Sequence, residues 1–177
     1  MPPNRDNHID LRKDIFAILF FAIGIFIALA LFSYSPTDPA LNSVSNVPYV
    51  KNLGGIVGAY LSDILFVIFG ISAYLASAVF ILISILQFLG RPIRLRFREM
   101  FCYGSAIAFA ASIITLKFEI IAIRGTEVAS GGIIGGLIGN NLEKYLNRPG
   151  AYLISSAGFF LFFTIATRLT IGDLISG

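Results

Sequence analysis

IVGAYLSDILFVIFGISAYLASAVFILISILQFL, residues 56–89, is a run of 34 residues in which Asp63 is the only charged side chain. A helix needs about 20 apolar residues to cross a hydrocarbon layer ~30 Å thick. The run is therefore too long for one upright helix and too short for two joined by a turn. A division near Gly70 resolves this: Ile56 to Phe69 forms a helix that lies at or enters the interface, and Ile71 to Leu89 spans. Asp63 then sits about two turns before Gly70, with its carboxylate near water. An ionisable group inside a span is a functional candidate, whereas near the start of an interfacial helix it is an ordinary wetted charge. Both readings stand for Asp63.

Upstream, Ile15 to Phe32 is a charge-free run of 18 residues, about 27 Å as a helix. It reads as the first span. Ala28-Leu29-Ala30 has the form of a signal-peptide cleavage site. The run is longer than a usual signal core, however, and the tail before it mixes Asp6, Asp10 and Asp14 with its bases, so an anchor is the better reading. Residues 33–52, with three prolines, are expected to form an exposed loop. Downstream, spans are expected at about 100–120 and 151–168, the last introduced by Arg148-Pro149-Gly150 and closed by Arg168. The segment 121–150 between them is expected to be an exposed loop containing one further helix.

Composition agrees. The 177 residues are 56% hydrophobic and only 13% charged, with a mean hydropathy of +0.84. A soluble domain carries roughly 25% charge. Cys102 is the single cysteine and His8 the single histidine, so neither an internal disulfide nor a histidine-based metal site is expected. No nucleophile–base pair or ligand cluster stands out; no catalytic residue and no cofactor is expected.

Arginines 91, 94, 96 and 98 fall within eight residues between the second and third spans. The N-terminal tail, residues 1–14, has Arg5, Arg12 and Lys13, whereas 33–52 has only Lys51. Positive residues remain cytoplasmic, so the tail, the loop at 90–99 and both termini are expected on the cytoplasmic side. Arg91, Arg94, Arg96 and Arg98 are read as topology determinants that meet anionic lipid headgroups. A loop this short hardly leaves the membrane surface, so a grip on DNA phosphates is the lesser alternative.

GTEVASGGIIGGLIGNNLEKYLNRPG, residues 125–150, lacks the Gly-Lys-Ser/Thr of a phosphate-binding loop. On a helix, Gly131, Gly135 and Gly139 fall at four-residue spacing, with Gly132 and Gly136 beside them. Such a stripe admits another helix at close range. A re-entrant or interfacial helix is expected, with Ser130 as its N-cap. The stripe serves either packing inside the chain or self-association. The fold class is thus an all-α integral membrane bundle: four spans, an interfacial helix before the second, and a glycine-rich re-entrant or interfacial helix before the fourth.

In order and spacing, LFSYSPTDPA (31–40), NLGGIVGAYLSDILFVIFGISAYL (52–75), GGIIGGLIG (131–139) and PGAYLI (149–154) resemble the N-terminal four-span membrane domain of FtsK/SpoIIIE-type DNA translocases. The resemblance covers nearly the whole chain beyond residue 25. It implies a bacterial inner-membrane anchor and scaffold that localises and oligomerises at the division septum. It further implies contacts with divisome proteins and attachment to a cytoplasmic ATPase motor. Neither a Walker A loop nor a DNA-reading winged helix occurs in these residues, so the expectation is an anchor without its engine and without direct nucleic-acid contact. The competing reading is a small transporter or channel subunit with Asp63 or the 117–127 charges on a polar path. An intramembrane enzyme would need paired catalytic groups at one depth.

Overall fold

The structure is a computed structural model and describes residues 11–39, 49–89, 97–123 and 126–167. In chain order these form α1 (Leu11–Phe32), α2 (Gly55–Phe69), a single 3-10 turn (Gly70–Ala73), α3 (Tyr74–Phe88) and α4 (Phe97–Lys117). Strands β1 (Ile120–Ile123) and β2 (Thr126–Ala129) follow, and then α5 (Gly132–Thr167). Four helical stretches among the described residues are long and apolar enough to cross a membrane: Asp14–Phe32, Gly55–Phe88, Phe97–Lys117 and Gly132–Thr167.

The long run of residues 56–89 breaks at Gly70. Its backbone takes φ 58°, ψ −140°, a conformation that a side chain resists and glycine allows. A Cβ at this position would also strike the backbone of Ser130. The Ile71 N–H donates to the Ser130 carbonyl at 2.8 Å, so the segment leading into α5 pins the break.

Helices α1 and α3 run antiparallel. The Tyr74 hydroxyl donates to the Leu31 carbonyl at one end (3.2 Å), and the Ser84 hydroxyl donates to the Ala17 carbonyl at the other (2.8 Å). We call these the upper and lower ends. Gly24 lets the two helices approach: a Cβ there would lie 2.8 Å from the Ile81 side chain and 3.1 Å from its amide nitrogen. The second half of α5 runs antiparallel to α4, with Ser112 and Ser155 hydroxyls 2.9 Å apart and the Phe109 and Phe162 rings stacked at 5.8 Å. At the lower end the two pairs meet in one cluster of Ile83, Cys102, Tyr103 and Ala166, with Phe20 against it. The start of α1 and the end of α5 therefore emerge at the same end of the bundle.

The packing is that of a protein dissolved in lipid. Many of the buried contact positions are alanine and serine, while large apolar side chains such as Phe160 and Leu161 are 66% and 58% exposed. Between membrane helices there is no hydrophobic driving force, so close van der Waals approach and interhelical hydrogen bonds of roughly 0.6 kcal/mol each must hold them.

Helix α2 crosses the upper end. Its Phe66 is buried against Leu31, with the Tyr34 ring at a centroid distance of 4.8 Å. This placement accords with a helix separate from the span, as expected for Ile56 to Phe69.

Several boundaries differ from those expected. The helix of the third span ends at Lys117, and residues 120–123, expected as the last residue of that span and the start of the loop after it, are a strand paired antiparallel with 126–129. Ile120, Ile121, Ile123, Thr126 and Val128 are β-branched, which favours extended backbone. Segment 121–150 is consequently not an exposed loop: it is mostly hairpin and helix, and its glycines at 131, 132, 135 and 139 are buried. Nor is a loop left between the glycine-rich helix and the fourth span. They run together as α5, divided only by Asn147 at φ 58°, ψ 170°. Arg148 fixes that junction by donating to the Leu116 carbonyl from Nη2 at 2.6 Å and Nε at 3.2 Å. The cytoplasmic loop expected at 90–99 is shorter as well, because α4 begins at Phe97.

Of segment 33–52, the other expected exposed loop, residues 33–39 and 49–52 are described, and part of them is buried. Of its described residues, Ser33, Ser35, Asp38 and Asn52 are buried. The physical reason is the end of α1, whose last carbonyls have no partner within the helix. The Ser33 hydroxyl donates to the Leu29 carbonyl (2.5 Å) and the Asn52 amide to the Ala30 carbonyl (2.8 Å). Asp38 then accepts from the Lys51 and Asn52 amides at 2.9 and 2.8 Å and folds the segment back onto the helix end.

Candidate functional site

The glycine stripe faces inward. A Cβ at Gly131 would collide with the Ala111 carbonyl and the Thr115 hydroxyl. At Gly135 it would lie 2.6 Å from the same carbonyl, and at Gly139 it would lie 3.2 Å from the Ser112 carbonyl. Three glycines at four-residue spacing thus seat the first half of α5 on the backbone of α4. Gly132 has a different task. At φ 62° it begins the helix where its amide nitrogen would be 2.6 Å from a Cβ on Gly70, so the two glycines permit one backbone crossing. Gly136 stands apart, with its nearest neighbour 3.9 Å from a Cβ position. Ser130, expected to cap the helix, instead donates its hydroxyl to the Phe118 carbonyl and ties the hairpin to the end of α4.

Asp63 is half-buried on α2, at the upper end. It faces Tyr34, whose phenol is raised above its usual pKa by burial first and by the Asp63 charge second. The neighbouring Ser62 is fully buried and lies 3.3 Å from the Asn52 amide. Asp63 therefore belongs to the edge of a polar knot that closes the upper end, near the capped terminus of α1.

Of the four arginines, Arg91, Arg94 and Arg96 lie outside the described residues. Arg98 is in the first turn of α4, with its side chain 66% exposed and Nη2 3.1 Å from Glu99 Oε1. Glu99 is wholly buried. Its position in the run RFREMF, beside bases, gave the sequence no reason to separate it from a wetted charge.

Sequence reasoning also passed over Asn52, Asp38, Ser112 and Ser155. A signal existed for the serines: small hydroxyl residues within apolar spans are the ones that bond across helices. Cys102 is buried and free. Among the described residues no three His, Cys, Asp or Glu side chains gather where they could hold a metal ion. The arrangement is suited to fixing helices against one another: the Ser33, Asn52, Tyr74, Ser84 and Arg148 side chains bond backbone carbonyls, and Ser112 bonds Ser155.

Comparison with known proteins agrees with this geometry. Residues 10–177 match the family described as the 4TM region of DNA translocase FtsK/SpoIIIE. A DNA translocase FtsK of Rickettsia prowazekii is 30% identical over 93% of the chain and 21% of its own length. Its counterpart in Rickettsia typhi is 31% identical over 80% of the chain and 18% of its own length. That of Pseudomonas syringae is 29% identical over 86% of the chain and 20% of its own length. The chain thus spans about a fifth of the length of these curated relatives. No solved structure matches it. A bundle of four bilayer-length helices, matched over nearly its whole length, belongs to the family of FtsK/SpoIIIE four-transmembrane regions.

Proposed function

We propose that this chain is the membrane anchor and scaffold of an FtsK-type DNA translocase, acting in cell division and chromosome segregation at the division septum. The observation that carries the reading is the common exit of both ends of the bundle, through the cluster of Phe20, Ile83, Tyr103 and Ala166. A motor joined beyond α5 would lie on the same side as the N-terminal tail. The positive-inside rule favours the cytoplasm for that side, since the helix ends found there adjoin the tail and the Arg91–Arg98 segment in sequence. DNA handling would then belong to the motor, and this domain would hold it at the membrane.

Oligomerisation and contact with divisome proteins are the remaining parts of the role. Within one copy the Gly131, Gly135 and Gly139 face is filled by α4. Self-association would accordingly use other faces of α5, such as that of Ile133 and Leu137, both 65% exposed.

The test is the fluorescence of residues 1–177 carrying a C-terminal green fluorescent protein in dividing cells. A bright band at midcell is the expected result, because that reporter needs a cytoplasmic terminus to fold. A bright but uniform membrane signal would remove the septal role. A dark, expressed fusion would overturn the topology.

A further inference from the structure

Between α1, α3 and α4, in the lower half of the bundle, lies a partly open cavity of about 650 Å³. It exists because the α1–α3 and α4–α5 pairs are each closely packed while α3 and α4 barely touch. Phe16, Phe20, Val79, Phe80 and Ile107 make its apolar wall, and Tyr103 and Gln87 add polar groups. Two features of the wall have no explanation among the described residues. Tyr103 is 4% exposed and its buried hydroxyl has no hydrogen-bond partner among the described residues, a state that buried polar groups rarely tolerate. Gly104 sits in the interior of α4, where glycine is disfavoured, yet a Cβ there would meet nothing within 4 Å.

We propose that this cavity binds one glycerophospholipid of the adjoining leaflet. Its acyl chain lies along the phenylalanine wall and over Gly104, an ester carbonyl oxygen accepts the Tyr103 hydrogen bond, and the phosphate meets Arg98 at the mouth. The depths agree. Tyr103 is three residues beyond Met100, where the charged first turn of α4 gives way to apolar residues, about 4.5 Å inward from the lower edge of the hydrocarbon, which is where ester groups border it. Arg98 stands about 7.5 Å further toward the lower end, with its side chain 66% exposed and Nη2 beside Glu99. A partner helix fits less well. Three turns of a helix about 10 Å across occupy about 1,300 Å³, twice the space present. Apolar pockets of a few hundred Å³ with a few placed polar groups are the usual form of small-molecule sites.

The experiment uses the full chain in vesicles of phosphatidylethanolamine and phosphatidylglycerol, with a trace of phosphatidylglycerol bearing a photoreactive acyl chain. After irradiation, labelled peptides are mapped by mass spectrometry. Labelling at Phe16–Phe20 and Gly104–Ile107 is compared with that at Phe160–Leu161, which are exposed on another face. Labelling of the cavity is expected to exceed that of the exposed face by about fivefold. Gly104→Leu, which projects a branched side chain into the path of the acyl chain, is expected to abolish the excess, whereas Gly104→Ala keeps most of it. Tyr103→Phe, which keeps the ring, is expected to lower the excess about threefold and serves alone if Gly104→Leu fails to insert. Equal labelling of the two faces in the wild type, an excess unmoved by either Gly104→Leu or Tyr103→Phe, or cavity residues crosslinked to another polypeptide would each overturn the proposal.

Discussion

Replacing Gly135 by alanine should separate α5 from α4, and replacing its neighbour Gly136 in the same way should not. A Cβ at Gly135 would lie 2.6 Å from the Ala111 carbonyl oxygen, 2.7 Å from the Thr115 hydroxyl and 2.8 Å from the Ala111 carbonyl carbon. Ordinary contact begins at 3.4 Å, so the helix must retreat by 3.4 − 2.6 = 0.8 Å. The obstacle is backbone and cannot rotate away. A gap of that size forfeits about a quarter to a half of the dispersion energy at each flanking contact, here those at Gly131 and Gly139. Overpacking of this kind costs about 1–3 kcal/mol. Both substitutions also gain helix propensity, up to about 1 kcal/mol, and that gain cancels when the two variants are compared. At Gly136 the nearest atom is 3.9 Å from the new Cβ, so only the gain remains. The measurement is reversible unfolding in mixed dodecylmaltoside and dodecylsulfate micelles, followed by circular dichroism. Gly135→Ala is expected to fall below Gly136→Ala by about 1–3 kcal/mol, or about 5- to 150-fold in the folded-to-unfolded ratio. Equal stabilities would refute the seating of the stripe on α4.

Asn52→Ala strips the Ala30 carbonyl and the Gly54 amide of their partner, so a loss of about 2–3 kcal/mol is expected; thermal unfolding in detergent reads it, and an unchanged transition would contradict the capping role. A double-mutant cycle of Ser112→Ala and Ser155→Ala should give a coupling near 0.6 kcal/mol, and zero coupling would mean that the two hydroxyls do not bond. For Tyr34, burial and then the Asp63 charge raise the phenol above its ordinary 10.0. The stability this confers is complete below pH 10 and is lost as pH rises through the raised value. Titration of tyrosinate absorbance against a Tyr34→Phe reference should place the ionisation above 10. Asp63→Asn should lower it while leaving it raised, because burial is the larger cause.

Long apolar runs are legible because lipid imposes one requirement on every residue of a span, and the counts of 18 and 34 residues followed from bilayer thickness. Gly70 was legible for the same reason: length alone demanded a break, and one glycine stood at the right place. The glycine stripe was readable as a close-approach surface, but its partner was not, since Ala111 and Thr115 acquire their meaning only when α4 lies beside it. Segment 33–52 misled because its polar residues are those of a wetted loop, and nothing local reveals that Asn52 reaches back 22 positions to the Ala30 carbonyl. Glu99 and Tyr103 were hidden in the same way, one turn apart on a helix whose inner face composition does not mark. The hairpin at 120–129 was divided between a span end and a loop because isoleucine serves both lipid and strand, and nothing local shows that its two arms pair.

The antiparallel pairing of α4 with the second half of α5 bears on mechanics. A pull applied beyond Thr167, along the axis of α5, would load the Ser112–Ser155 bond, the Phe109–Phe162 stack and the Gly158 contact with Phe109 simultaneously. Contacts sheared together share the force, whereas contacts peeled in sequence meet it one at a time. Arg148, clasping the Leu116 carbonyl above them, would act as the stop at the far end of the joint. The α1–α3 pair lies off this line. A tether so built resists extraction chiefly through α5 and α4, with the other half of the bundle reached through the Ala166–Ile83 cluster at its lower end.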